Sequence, residues 1–177
     1  MLFANLFRRV KREDALASLL PDIPLFGGFS RREFREIEAI LKKRTTDPGE
    51  AIFQQGQSGV GLYILISGAV EISQGDETGS RITLTRVAPG CLFGEMALLD
   101  DAPRTASAVA TEASELAVFY RSDLLNLAEQ RPQLGVKIVM HLSQIVADRL
   151  RRTNRALKEV RAEVEAVQLN LPVDTRA

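Results

Sequence analysis

The residues of this 177-residue chain that could carry chemistry are concentrated in the string CLFGEMALLDDAPRTASAVA, residues 91–110. It combines Gly94, the carboxylate Glu95 at the start of a predicted short helix, and Arg104 nine residues later. Backbone N–H groups at a helix start, together with a guanidinium, form an anion site that suits a phosphate. A carboxylate beside that anion would be repelled by it, so we expect Glu95 to accept hydrogen bonds from hydroxyl groups such as those of a ribose. Phosphate and ribose together predict a nucleotide site.

A simpler interpretation is a salt bridge between Glu95 and Arg104 on the surface of an ordinary turn, a common arrangement that contributes little to stability. The whole string favours the nucleotide site, because it closely resembles the phosphate-binding cassette of cyclic nucleotide-binding domains. In that family F-G-E-x-A-L is followed after a few residues by P-R-x-A. Eight residues match at the family's spacing: Phe93, Gly94, Glu95, Ala97, Leu98, Pro103, Arg104 and Ala106. We call residues 93–106 the cassette.

The resemblance extends over residues 22–150 and implies roles for individual residues. Arg104 is expected to pair with the exocyclic phosphate oxygens, and Glu95 to bind the ribose 2′-hydroxyl. Backbone amides near Gly94, Ala97 and Thr105 are expected to complete the phosphate site. The ligand-binding residues expected in the cassette are therefore Phe93, Gly94, Glu95, Met96, Ala97, Arg104, Thr105 and Ala106.

Two clues bear on the base. In eukaryotic family members a threonine at the position of Thr105 favours cGMP, whereas in bacterial catabolite-activator-like members a serine or threonine there contacts the phosphate of cAMP. The string ADRLRRTNRAL, residues 147–157, resembles the dimerisation helix of the bacterial members, where two adjacent small polar residues contact adenine from both subunits. The matching residues are Thr153 and Asn154. Together the clues favour cAMP, with cGMP as the second choice.

Hydrophobic periodicity divides the chain into three zones that must position these residues. Residues 1–41 are predicted to be helical, with a capping box from Ser30 to Glu33 and a break at PDIPLFGG. Residues 42–120 hold short strand-like runs between glycine turns at 48–50, 67–68 and 89–90, which predicts a sandwich, barrel or jelly roll. From Ser122 the helical period returns as a short capped helix, and Pro132 begins a long one.

The resemblance implies a mainly β fold with flanking helices: an antiparallel, jelly-roll-like β-roll with N-terminal helices and a long C-terminal helix. We expect an N-terminal helical segment at 1–21 and the cyclic nucleotide-binding β-roll at 22–130. A lid and dimerisation helix is expected at 131–169, followed by a tail at 170–177.

The long helix carries residues at coiled-coil spacing. One series is Val136, Ser143, Leu150, Leu157 and Val164, and the interleaved series is Val139, Val146, Thr153, Val160 and Val167. Such a seam predicts a homodimer through this helix. A helix packed only on its own β-roll explains the first half of the seam and leaves the half from Leu157 onward uncovered. Thr153 lies on the seam, where its hydroxyl either meets a ligand or returns to the helix backbone.

Composition argues against several other classes of protein. The 23 basic residues balance 23 acidic ones, so general nucleic-acid binding is not expected, and the basic run 149–161 is more simply a solvated helix face. The residues after the seam are too few for a winged helix-turn-helix, so we expect no DNA reader. One cysteine and one histidine cannot make a disulfide framework, a zinc site or a metal-dependent β-roll enzyme. We expect Cys91 to be a small core residue and His141 a helix-surface or packing residue.

Apolar runs are too short to cross a bilayer, and the charges of MLFANLFRRVKRED follow a very short apolar stretch, the reverse of a secretory signal. We expect that N-terminus to be a helix packed on the roll or an ordinary exposed terminus, with a short amphipathic membrane anchor as the alternative. We expect a cytoplasmic, bacterial, non-enzymatic, stand-alone receptor with an unidentified protein partner. The alternatives are a ligand-free interaction module of the same fold and a regulatory domain of a larger channel, kinase or transporter.

Overall fold

The structure is a computed structural model that describes residues 16–76 and 80–169, with side chains described as far as residue 165. Its contacts divide the chain into two compact units, Met1–Leu142 and Ser143–Ala177. We describe each unit by itself. Most of the predicted segment 1–21 and the whole of the tail 170–177 lie outside the described residues.

Helices precede and follow the strands, as predicted. Residues 16–19 are helical and lead into two 3₁₀ turns, Leu20–Asp22 and Pro24–Phe26. The α-helices are α1 (Arg31–Ile40), α2 (Met96–Leu99), α3 (Arg121–Gln130) and α4 (Pro132–Leu169). Helix α4 begins at the predicted proline, whose fixed φ and missing N–H suit the first turn of a helix.

The two predicted helix starts differ in outcome. At α1 the capping box is confirmed, since Glu33 N donates to Ser30 Oγ at 3.3 Å and Ser30 N donates to Glu33 Oε2 at 2.6 Å. Helix α3 begins one residue before Ser122, with Tyr120 at its N-cap. Among the described residues no side chain caps its first turn, so the predicted cap is wrong. A tyrosine lacks the short side-chain acceptor that a cap requires.

The strands form two four-stranded sheets in the described residues, and every pair in them is antiparallel. The first sheet has the order β1-β8-β3-β6 and the second has the order β2-β7-β4-β5. The strands are β1 (Lys42–Thr46), β2 (Ala51–Phe53), β3 (Gly61–Ser67), β4 (Val70–Gly75), β5 (Arg81–Val87), β6 (Leu92–Phe93), β7 (Ser107–Ala110) and β8 (Ser114–Tyr120). The predicted antiparallel β-roll is therefore confirmed.

The predicted glycine turns are confirmed by positive backbone φ angles at Gly49, Gly68 and Gly90. Gly68 is required for a second reason, because a Cβ there would lie 2.3 Å from Ser114 Oγ and 2.6 Å from the carbonyl oxygen of Ala113. Glycine is the residue that meets both demands, a left-handed backbone and a close approach of two chain segments.

In the first sheet, strands β3 and β8 are buried on both faces, which explains why β3 is apolar almost throughout. Tyr63 pairs with Val118, and both belong to the core cluster between the two sheets. The alternate residues Leu62 and Ile64 point to the other face and are 0% exposed. The flanking helical segments supply buried apolar residues of their own, including Leu20, Phe26, Ile37, Leu124 and Ile138. We infer that they cover this second face.

The second unit consists of the continuation of α4 beyond Leu142. Its apolar seam residues are largely in solvent, with Leu150 59%, Leu157 48%, Val160 55% and Val164 49% exposed. No helix in the described part of the chain is long and apolar enough to cross a membrane.

Candidate functional site

The buried Arg104 is the centre of the candidate site, with only 7% of the residue exposed. Its Nη1 donates to the carbonyl oxygen of Gly94 at 2.8 Å, and its Nη2 donates to that of Gly61 at 2.7 Å. Among the described residues its buried Nε has no hydrogen-bond partner. The guanidinium is therefore fixed in place by the backbone and still has an unpaired buried N–H donor.

Burial lowers the pKa of the Arg104 guanidinium, because desolvation disfavours its charged form, and the nearby Tyr63 and Glu95 act in the opposite direction. An arginine keeps its charge at neutral pH despite such a shift. A desolvated cation is costly unless an anion or hydrogen-bond acceptors surround it. The site therefore favours a negatively charged ligand.

Two aromatic rings lie close to the guanidinium, and a third packs against both of them. The Cζ of Arg104 is 4.1 Å from the ring centre of Phe53 and 5.7 Å from that of Tyr63. Tyr63 and Phe93 stack with 5.5 Å between ring centres. Phe93, predicted to bind the ligand, is 3% exposed and belongs to the core cluster. In this structure Phe93 packs against Phe53 and Tyr63, the two rings that lie close to Arg104.

Glu95 is 2% exposed and occupies the N-cap position of α2, where its carbonyl oxygen accepts from Leu98 N at 3.0 Å. The predicted short helix is present and begins one residue later than expected, at Met96. Because Glu95 and Arg104 are both buried, a salt bridge on the surface of a turn is excluded.

Two glycines let the backbone approach Arg104 closely. A Cβ at Gly94, whose φ is +72°, would lie 2.7 Å from Arg104 Nη1. A Cβ at Gly59, in the β2–β3 loop (residues 54–60), would lie 2.5 Å from Ala97 Cβ and 3.4 Å from Arg104 Cζ. Gly59 and Gly61 are site residues that were not predicted, although the repeated glycines of the string SGVG, residues 58–61, are a sign of close packing.

The other cassette residues divide into buried and exposed ones. Ala97 is 3% exposed and Ala106 7%, so both pack within the roll. Met96 is 45% exposed, and Thr105 is also exposed beside the buried Arg104. The cassette thus presents a methionine and a threonine side chain to solvent.

Thr153 and Asn154 lie in the second unit, and both are exposed there. The Thr153 hydroxyl donates to the carbonyl oxygen of Arg149 at 3.1 Å. This is the alternative arrangement that the sequence left open for a threonine in a helix. A contact from these residues to a ligand stays a prediction.

Two minor predictions have opposite outcomes. Cys91 is exposed, so its assignment as a core residue is wrong. It follows the turn at Gly90 and precedes the two-residue strand β6. His141 is confirmed as a packing residue, since its Nδ1 lies 3.0 Å from the carbonyl oxygen of Leu25 and its ring centre 5.5 Å from that of Phe29. No group of three or more His, Cys, Asp or Glu residues that could hold a metal occurs in the described ranges.

The antiparallel β-roll therefore holds a buried arginine between a glycine turn, a short helix and an aromatic cluster. Residues 43–131 match the cyclic nucleotide-binding domain family. The chain belongs to that family, as the cassette indicated.

The chain is also similar to curated proteins of bacteria. It is 38% identical over 135 residues to the cyclic AMP receptor protein of Thermus thermophilus, which covers 76% of this chain and 60% of the relative. It is 32% identical over 180 residues to a putative potassium channel protein of Rhodopseudomonas palustris, 99% of this chain and 41% of that protein. The chain therefore spans roughly half the length of these curated relatives.

A solved structure supports the fold assignment. The crystal structure of a cyclic nucleotide-binding domain from Methylobacillus flagellatus superposes with a TM-score of 0.73 and 28% identity, covering 84% of each chain.

Proposed function

We propose that this chain binds a cyclic nucleotide, cAMP ahead of cGMP, and relays occupancy through α4 to a homodimer or to a protein partner. The observation that carries the proposal is Arg104, a buried guanidinium held by two backbone carbonyls with its Nε donor unpaired among the described residues. A phosphate oxygen is the acceptor that this donor lacks, and a bond between two charged groups is among the stronger hydrogen bonds. Membership of the family supports the class of ligand.

The surrounding residues fit a cyclic phosphate. The missing Cβ atoms at Gly59 and Gly94 leave the backbone close to the guanidinium, as a phosphate cradle requires. In the proposed complex Arg104 binds the exocyclic phosphate oxygens and Glu95 accepts from the ribose 2′-hydroxyl. Cassette amides and Thr105 complete the phosphate contacts.

The preference for cAMP rests on the residues expected to face the base. We propose that Thr153 and Asn154 contact adenine, and that Thr105 binds the phosphate. The name of the Thermus relative, a cyclic AMP receptor protein, supports the same base. Of the two nucleotides, cGMP remains the second candidate through Thr105.

The relay is proposed from the exposed seam of α4. Leu150, Leu157, Val160 and Val164 are each about half exposed, and they recur at heptad spacing. Such a stripe is stabilised when a second helix covers it. We propose a homodimer through this stripe, with a ligand-dependent surface for a protein partner, in a cytoplasmic, non-enzymatic regulator. We retain 22–130 as the binding roll and 131–169 as the lid and dimerisation helix.

The proposal is tested by calorimetric titration of refolded, ligand-free protein with cAMP and then with cGMP. We expect saturable binding of cAMP, weaker binding of cGMP, and no detectable heat with the Arg104→Glu variant. The Arg35→Glu variant, which carries the same charge reversal on the exposed face of α1, serves as the control and should bind like the wild type. Absence of heat and of a thermal shift with either nucleotide, on folded wild-type protein, would refute the proposal.

A second candidate is a regulatory domain of a larger channel. It is favoured by the match to the Rhodopseudomonas channel protein, which extends over 99% of this chain. An antibody against the β-roll distinguishes the two candidates in cell extracts. A band near 19.5 kDa indicates the stand-alone receptor, whereas a substantially larger membrane-associated band indicates the channel domain.

A further inference from the structure

Arg121, the first residue of α3, is bonded to the β2–β3 loop and to the cassette, the two segments that contribute to the candidate site. Its backbone N–H donates to the carbonyl oxygen of Val60 at 2.9 Å, in the β2–β3 loop. Its Nη1 lies 2.9 Å from Asp101 Oδ1, in the cassette between α2 and Arg104. One residue therefore connects the loop, the cassette and a helix.

The bond to Val60 brings α3 close to Arg104. Val60 stands between Gly59, where a Cβ would lie 3.4 Å from Arg104 Cζ, and Gly61, whose carbonyl oxygen accepts from Arg104 Nη2. The start of α3 is thus one peptide unit away from a group that fixes the guanidinium. The bond between Arg121 and Val60 is made by backbone atoms on both sides. The ion pair with Asp101 is therefore the part of the connection that side-chain substitutions can remove.

The ion pair between Arg121 and Asp101 links α3 to the cassette but contributes little to the stability of the fold. The Asp101 side chain is 82% exposed and that of Arg121 is 30% exposed, and pairs this open to water stabilise a fold only weakly. In the described part of the chain, Arg121 Nε and Asp123 Oδ2 are buried without hydrogen-bond partners. Buried polar atoms left unpaired in this way favour a second arrangement in which they are satisfied.

We propose that Arg121 is a positioning residue that couples the cassette to α3 through its ion pair with Asp101, so that nucleotide binding at the cassette changes the stability of the first turns of α3. The ligand in this statement rests on the proposed function. The coupling between the two elements is a property of the free protein as well.

Hydrogen exchange read by mass spectrometry tests the coupling without ligand. Asp101→Asn removes the charge pair with no change of shape, and Arg121→Gln removes it by shortening the side chain and replacing the guanidinium with an amide. We expect either variant to speed exchange about two- to fivefold in peptides of the cassette and also in peptides of α3, the factor expected for a lost exposed pair. The double variant should add no further effect, since both changes remove the same interaction.

The matched control is Glu50→Gln, which breaks the Arg44–Glu50 pair of the same 2.9 Å length between β1 and β2. It should leave exchange in both the cassette and α3 unchanged. The charge-reversed pair, Asp101→Arg with Arg121→Asp, should restore most of the wild-type protection. Faster exchange confined to the cassette in Asp101→Asn, or additive effects in the double variant, would overturn the proposal.

A second arm adds saturating cAMP. In the wild type we expect cAMP to slow exchange in both the cassette and α3, and in Asp101→Asn to slow it in the cassette while the effect on α3 shrinks by at least half. An undiminished effect on α3 also overturns the proposal. If cAMP and cGMP leave the wild-type cassette unchanged, the proposed function fails, and the comparison in free protein still decides whether Arg121 couples the two elements.

Discussion

The guanidinium of Arg104 lies over the ring of Phe53, with its Cζ 4.1 Å from the ring centre. A buried cation loses its stabilisation by water, and the electron-rich face of the ring partly replaces it. The two backbone carbonyls of Gly94 and Gly61 fix its orientation. Arg104 is therefore positioned before any ligand arrives, which reduces the entropy cost of binding.

Replacing the ring tests this positioning. Phe53→Leu keeps an apolar side chain and removes the ring face, so we expect cAMP affinity to fall about tenfold, the effect of a partly desolvated cation–π contact. The control is Phe29→Leu, which removes the ring that lies 4.2 Å from Lys137 Nζ, on α4. Calorimetry should show near wild-type affinity for Phe29→Leu. Equal losses in the two variants would mean that the ring acts only through general stability.

A side chain at Gly59, beside Ala97 and Arg104, should also impair the binding of cAMP. In Gly59→Ala the new Cβ would lie 2.5 Å from Ala97 Cβ, so the loop or α2 must shift. We expect a loss of cAMP affinity of at least about tenfold, because a small displacement of a binding group is costly. Gly27→Ala, whose Cβ would meet Pro24 O at an ordinary 3.5 Å, is the control.

The same contact offers a rescue. Ala97→Gly removes the methyl group that Gly59→Ala would meet, so the double variant should regain most of the lost affinity, measured by the same titration. Failure of the rescue, with the fold intact by circular dichroism, would show that the crowding with Ala97 is not the cause.

Glu95 is expected to act on one hydroxyl group. Wild-type protein should bind cAMP more tightly than 2′-deoxy-cAMP by about tenfold, the usual value of a hydrogen bond to a charged acceptor. In Glu95→Gln the difference between the two nucleotides should shrink, mainly because cAMP binds more weakly. Competition titrations measure the affinities of the wild type and of Glu95→Gln for both nucleotides. A ratio unchanged by the substitution would contradict the role assigned to Glu95.

The capping box of α1 predicts a pH dependence of stability. The backbone N–H of Ser30 is the largest cause that lowers the pKa of Glu33 below its usual 4.5, and the Ser30 hydroxyl and Lys137 act in the same direction. A carboxyl whose pKa is lower in the folded state stabilises the fold above the unfolded pKa, and this contribution is lost as pH falls through the folded pKa.

Denaturant unfolding at a series of pH values from 7 down to 3 measures this contribution. Glu33→Gln should lower the free energy of unfolding at pH 7 and flatten its decline below about pH 4.5, relative to the wild type. Glu38→Gln, on the same helix and outside the capping box, should keep the wild-type slope. If the free energy of unfolding fell equally with pH in the wild type and in Glu33→Gln, Glu33 would not be a cause of the pH dependence.

The seam of α4 predicts a concentration-dependent dimer. Leu157→Glu places a charge in the middle of the exposed stripe and should weaken dimerisation at least about a hundredfold, because a charge is costly in an apolar interface. Ala162→Glu, off the stripe on the same helix, should leave it unchanged. Sedimentation velocity over a range of concentrations measures both, and a wild-type protein that stays monomeric throughout would refute the dimer.

Much of the fold was predictable because its signals are local. The capping box depends on Ser30 and Glu33, three residues apart, and the turns depend on single glycines with positive φ. The sequence carries no signal for strand β1, because KKRTT has no apolar alternation, and the two-residue strand β6 is too short for any periodicity. Their places are set by pairing with β8 and β3, which are distant in the chain.

The amino-acid sequence by itself determined the family, the succession of a helical, a strand-rich and a second helical zone, and the cassette with Glu95 and Arg104, because these depend on residue types at short spacings. The tertiary structure alone decided the environment of Arg104. Phe53, Gly59 and Gly61 reach it from more than forty residues away, and their contact with it depends on how the two sheets and the β2–β3 loop close together. Burial is likewise a property of the packed chain, which is why Cys91 is exposed although its residue type favours the core.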